Sequence, residues 1–78
     1  MHLNPAEYVV RVFGGVRKSG EAIGRSAAAV SKWNKPNSEK GSDGRIPSVA
    51  QLAILKVAKR RGLDITPQDL IFGREIKE

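Results

Sequence analysis

The residues best equipped for chemistry in this 78-residue sequence are small side chains and cations. They gather in one stretch, GRSAAAVSKWNK, residues 24–35. Alanines beside serine and lysine on a short helix suit the major groove of DNA. A small side chain lets the helix backbone come close, its methyl meets a thymine methyl, and a lysine reaches guanine O6 or N7. Catalysis finds few reagents by comparison. There is no cysteine, which removes the thiolate nucleophile, the disulfide and every thiolate metal site, and His2 is the one histidine. The carboxylates are scattered, with Asp64 and Asp69 in turn or capping contexts. FGGVRKSG lacks the glycine spacing of a phosphate-binding loop. The sequence is therefore read as a non-enzyme with neither metal nor cofactor.

The charge is uneven. Residues 11–61 hold 12 Lys or Arg against Glu21, Glu39 and Asp43, whereas both ends are mildly acidic and the whole chain carries +6. A basic body points to a polyanionic partner. Few aromatics are available for stacking unpaired bases, which counts against RNA. No apolar run approaches the ~20 residues of a membrane span. MHLNPAEYVV lacks the basic start and apolar core of a signal peptide. These features, with the absence of cysteine, suit a cytoplasmic protein with no membrane partner.

The elements that must position this stretch are helices. Asn4 caps the first, with Pro5 at its first position and Glu7 as capping-box partner, and Gly14-Gly15 ends it. A second helix runs from about Val16 to Ile23, with Val16, Ala22 and Ile23 as its core candidates. Gly24 breaks it, Ser26 caps a third over Ala27 to Trp33, and Pro36 prevents continuation. Val30 and Trp33, three apart, turn one edge of that third helix inward. Ala27, Ala28, Ser31, Lys32 and Lys35 then face outward, with Ala29 at the boundary. Residues 36–47 read as a loop, with a short hairpin at Ser42-Asp43-Gly44 the less favoured alternative. A fourth helix is expected to be capped by Ser48, with Gln51 as capping-box partner, and to end at Gly62. Its apolar residues occupy most of its circumference, which implies burial on several sides. A fifth starts at TPQD with Thr66 as cap and Leu70, Ile71 and Phe72 as anchors. The expected fold is all-α with five helices, one domain over residues 1–73, and a charged, fraying tail over 74–78.

Two short helices meeting at Gly24 have the layout of a helix-turn-helix over about residues 16–34. In that layout the residues near the start of the second helix meet base edges. Base readout is accordingly assigned to Ala27, Ala28, Ser31, Lys32 and Lys35. Phosphate contacts are assigned to Arg17, Arg25 and Ser26, with Lys40 and Arg45 in the loop. Trp33 is read as core, and Lys56, Lys59 and Arg60 as a solvated stripe.

The stretch FGGVRKSGEAIGRSAAAVSKW resembles the DNA-binding core of lambda-repressor-like and Cro-type phage regulators, above all the small YdaS-like prophage regulators and antitoxins. Gly24, Ser26, Val30, Ser31 and Trp33 match their pattern. IPSVAQLAILKVAKRRGLDITPQDLI is similar to their C-terminal half, so the resemblance spans roughly residues 5–73. Ser19 stands where that family buries a leucine, Gly20 where it has alanine, and Arg25 where valine or isoleucine is commoner. The resemblance implies a compact five-helix domain and a repressor that acts as a homodimer on a palindromic double-stranded DNA operator. It equally implies an alternative: an antitoxin-type module that binds a toxin or other protein, here through the apolar LIF beside the acidic end.

Overall fold

A computed structural model describes residues 1–77. The chain forms β1 (His2–Leu3), α1 (Pro5–Phe13), α2 (Val16–Ile23), α3 (Ala27–Trp33), a 3-10 turn (Asn37–Glu39), α4 (Ser48–Arg61), α5 (Pro67–Phe72) and β2 (Arg74–Glu75). It is a small, mostly helical domain with one minor two-stranded sheet.

Local signals set most helix ends. Asn4 Oδ1 accepts from the Glu7 amide at 2.8 Å while Glu7 Oε1 accepts from the Asn4 amide at 3.1 Å. Thr66 and Asp69 repeat this reciprocal box at the start of α5, satisfying amides that the first turn of a helix leaves without partners. α4 departs from expectation. Ser48 is its first helical residue and Pro47 its cap, with no side-chain capping bond. The cap position is extended, at φ −57° and ψ 145°, a conformation the proline ring already prefers. Gln51 instead donates through Nε2 to the Ile46 carbonyl at 2.8 Å.

Val9 of α1, Val30 of α3, Ile54 of α4 and Leu70 of α5 are the largest fully buried apolar side chains, and they mark where the helices converge. Tyr8, Phe13, Trp33 and Val57 pack into the same cluster. Three expectations about burial are corrected. α2 contributes Ser19 and Gly20 as its buried residues and Val16 is exposed, while Ala22 and Ile23 pack half-buried against the core as expected. Ser19 tolerates full burial because its hydroxyl donates to the Gly15 carbonyl at 2.7 Å. α4 is covered along one side only: Ala50, Ile54, Val57 and Ala58 are buried, while Val49 and Leu52 stay 67% and 64% exposed. In α5 only Leu70 anchors; Ile71 and Phe72 are 59% and 70% exposed.

The charged tail does not fray over its first residues. β1 and β2 pair antiparallel, His2 opposite Glu75 and Leu3 opposite Arg74. The Met1 amino group and the Ile76 amide exchange bonds with each other's carbonyls at 3.0 and 2.7 Å. His2 places Nε2 3.0 Å from the Phe72 carbonyl. The last tail residue, Glu78, lies outside the described residues.

Residues 36–47 are tied down without forming a hairpin. Asp43 and Gly44 both take positive φ, 53° and 86°, and the Arg45 amide donates to the Ser42 carbonyl at 2.9 Å, as a type I′ turn requires. No strands flank the turn. Its amides cap the end of α3 instead: Ser42, Gly44 and Asp43 donate to the carbonyls of Lys32, Trp33 and Lys35. No helix among the described residues is long and apolar enough to cross a membrane.

Candidate nucleic-acid interface

The unit made by α2 and α3 rests on two glycines. Gly24 ends α2 at φ 73° and ψ 32°, the left-handed region where a side chain is strained. Its amide and that of Arg25 both donate to the Gly20 carbonyl, the latter at 2.8 Å. Gly20 itself lies under the turn. A Cβ there would meet the Arg25 carbonyl oxygen at 2.5 Å and the Ser26 and Ala27 backbone at 3.2–3.3 Å. The start of α3 is therefore pressed against α2 more closely than any side chain at Gly20 permits.

α3 starts on Ser26, whose Oγ accepts from the Ala29 amide at 3.1 Å. That leaves the hydroxyl proton free to donate outward. Val30 and Trp33 are 1% and 5% exposed, and burying a side chain such as Val30 contributes about 1.5–3 kcal/mol. With that edge held, Ala27, Ala28, Lys32 and Lys35 are exposed and Ser31 is half-buried. Ala29 is half-buried, at the boundary between the faces. Ser31 borders a cleft of about 390 Å³ between α1 and α3, floored by Ala6, Val10 and Val30.

The flanking cations are placed as follows. Arg17, in the first turn of α2, and Arg25, just past its end, are both exposed. Arg17 Nε lies 3.6 Å from Glu21 Oε1, an exposed i,i+4 pair of the kind worth ~0.3–0.5 kcal/mol and readily exchanged for another anion. Among the described residues Arg25, Lys32, Lys35, Lys40 and Arg45 form no ion pair. Lys40 is exposed at φ 62° just past the 3-10 turn. Arg45 is exposed and lines two hollows, one within the loop beside Asn37, Gly41 and Asp43 and one with Gln51, Leu70 and Ile71 where the loop meets α5.

One polar cluster has no counterpart in the sequence reading. Arg74 donates through Nε and Nη2 to the two oxygens of Asp69, each at 2.7 Å, and through Nη1 to Asp64 Oδ2 at 3.2 Å. Its guanidinium carbon sits 5.0 Å from the centre of the Tyr8 ring, within cation–π range. The Tyr8 hydroxyl donates to the Asp64 carbonyl at 2.6 Å. The Arg74 hydrogen bonds hold the buried Asp69 carboxyl below its ordinary value of 3.8, against the opposing effect of burial. Burial pushes the Tyr8 hydroxyl up from 10.0, partly offset by the Arg74 charge. The Glu75 carboxyl is lowered, chiefly by its hydrogen bond from the Met1 amino group. This cluster joins α1, α5 and β2. Its only sequence signal was Asp69 in a capping box; nothing local pairs Tyr8 with a residue 66 positions on.

Compared with family models, with curated proteins and with solved structures, the chain matches none. The functional reading therefore rests on the chemistry of these surfaces.

Proposed function

We propose that this chain is a sequence-specific double-stranded DNA-binding regulator with a helix-turn-helix over about residues 16–34, whose α3 enters the major groove. One observation carries the reading. Val30 and Trp33 hold α3 in the core while Ala27, Ala28, Lys32 and Lys35 stand exposed, with no ion pair on either lysine among the described residues. Alanine permits close approach, and Ser31, Lys32 and Lys35 supply polar reach to base edges. Arg17, Arg25 and Ser26 bind phosphates, with Lys40 and Arg45 of the loop adding backbone contacts. The concentration of cations in residues 11–61 supplies the attraction to a polyanion. With the resemblance noted above, this describes a Cro-type phage or prophage repressor acting in the cytoplasm.

The test is selection from random duplexes followed by titration at fixed salt. A selected duplex should bind at least tenfold tighter than a scrambled one, and Lys32→Ala should shrink that ratio. Equal affinity for every duplex would refute the proposal.

The exposed Ile71 and Phe72 of α5, with Val49 and Leu52 of α4, favour protein contact on a second surface. Large apolar side chains left this exposed on two helices are candidates for such contact. A second copy is the occupant that fits a palindromic operator, because a two-fold protein matches two-fold DNA. The alternative is an antitoxin-type complex in which the same residues hold a partner protein. Sedimentation of the purified chain distinguishes them: a dimer supports the first, a monomer the second.

A further inference from the structure

The outward face of α3 is unusual in what it lacks. Between residues 16 and 35 the one carboxylate is Glu21, which lies on α2 and pairs with Arg17 at 3.6 Å. The one carboxamide is Asn34. Its Oδ1 accepts from Asn4 Nδ2 at 2.8 Å, which ties the carboxamide to the start of α1 and uses one of the two lone pairs of its oxygen. Past the helix, Asp43 Oδ1 accepts from the Asn37 amide at 2.7 Å. What α3 presents is therefore two methyls, from Ala27 and Ala28, and donors, from Lys32, Lys35 and Asn34. Among the described residues the Ser31 hydroxyl is the one side-chain acceptor of this segment that takes no hydrogen bond, and that side chain is half-buried at the edge of the cleft.

In the major groove, guanine offers two acceptors, O6 and N7. Thymine offers the O4 acceptor and a methyl. Cytosine offers an amino donor, N4–H₂, and adenine an N6–H₂ donor beside its N7 acceptor. A face made of donors and methyls pairs with the first two bases. At cytosine it sets donor against donor, and at adenine a lysine can meet N7 but leaves the N6 amino group without a partner.

We infer that α3 reads the keto bases, guanine and thymine, along one strand of each half-site, with the thymines opposite Ala27 and Ala28 and the guanines opposite Lys32 and Lys35. This rests on the DNA-binding reading above and adds the base class. Ala28 and Lys32 are one helical turn apart, about 6 Å along the axis, which is close to two base-pair steps of about 3.4 Å. Thymine and guanine contacts therefore fall about two base pairs apart.

The experiment uses the full chain and the duplex that selection returns. At each contacted position one base is replaced by an analogue that leaves Watson–Crick pairing intact. Uracil for thymine removes only the methyl; the expected loss is ~4-fold in affinity, the worth of one methyl group. 7-Deazaguanine for guanine removes only N7; the expected loss is about tenfold. The guanine effect should vanish in Lys32→Ala or Lys35→Ala, and the uracil effect should persist in both. A gain-of-acceptor variant, Ser31→Asn, should shift the selected site toward adenine, which asparagine pairs through N6 and N7. Sequence-specific binding that ignores both analogues, or a selected site contacted through cytosine and adenine, overturns this inference and leaves the DNA-binding reading standing. Binding with no sequence preference overturns both.

Discussion

Gly20→Ala separates two physical effects of opposite sign. Helix propensity alone favours alanine over glycine inside α2 by about 1 kcal/mol. Packing opposes it. The new Cβ would stand 2.5 Å from the Arg25 carbonyl oxygen and 3.2 Å from the Ser26 carbonyl carbon. Both are backbone atoms, so no flexible side chain yields. The Arg25–Ser26 peptide must retreat by at least half an ångström, and the Gly24–Arg25 peptide joined to it carries the amide that donates to the Gly20 carbonyl at 2.8 Å. Overpacking of this kind costs about 1–3 kcal/mol, and loosening the turn's hydrogen bond costs about 1 kcal/mol more. Set against the propensity gain, the net loss is about 1–3 kcal/mol. At ~4–8 °C per kcal/mol for a domain of this size, the midpoint should fall by roughly 5–20 °C. The assay is thermal denaturation followed by circular dichroism, with exposed Lys18→Ala in the same helix as the control, expected within ±0.5 kcal/mol. A Gly20→Ala variant that melts at or above the wild-type temperature refutes the close approach of α2 to α3. The resembled regulators commonly carry alanine here, so the substitution also tests whether this chain packs its turn more tightly than they do.

Other outcomes follow from the same physics. Asp69→Asn should lower the melting temperature at pH 7. Because the Asp69 carboxyl is held below 3.8 in the folded state, its contribution is whole above that value and drains away as pH falls through the folded pKa. The gap between variant and wild type should therefore narrow in acid, and a constant gap from pH 7 to pH 2 would contradict the Arg74 pairing. Tyr8→Phe removes the donor to the Asp64 carbonyl and should cost about 0.5–1.5 kcal/mol in denaturant unfolding; an unchanged midpoint would show that the hydroxyl is not bonded. Arg25→Ala should weaken binding to all duplexes alike and lower the salt slope by ~1. Phe72→Gln should leave the fold intact, since the ring is 70% exposed, and should shift a dimer toward monomer in sedimentation.

What the sequence made legible was local. Asn4, Ser26 and Thr66 announce their helices because each cap is a bond to a residue three positions away. Gly24, Pro36 and Gly62 announce the ends. The outward face of α3 was legible because the spacing of Val30 and Trp33 leaves only one way to orient a helix of seven residues. What depended on distant contacts was not legible. Val49 and Leu52 look like core residues in α4 and are exposed, because nothing in the helix itself says how many neighbours will cover it. Ser19 is buried in place of Val16 for the same reason. β1 and β2 are two residues each and more than 70 positions apart, too short for any alternation to show. The capping loop escaped notice because its bonds to α3 run through backbone amides, which side-chain identities do not advertise.

The pairing of β1 with β2 has a mechanical consequence. The two strands run antiparallel with Met1 and Ile76 bonded at one end of the ladder. A force applied to both termini therefore loads these bonds one after another, as a zipper is opened, and does not share the load across them. The terminal pair should give way first, followed by the grip of Arg74 on Asp64 and Asp69, before the helices bear tension. α1 is reached next, since it follows β1 directly, whereas α2 and α3 lie further along the chain and would be the later structures to feel the pull.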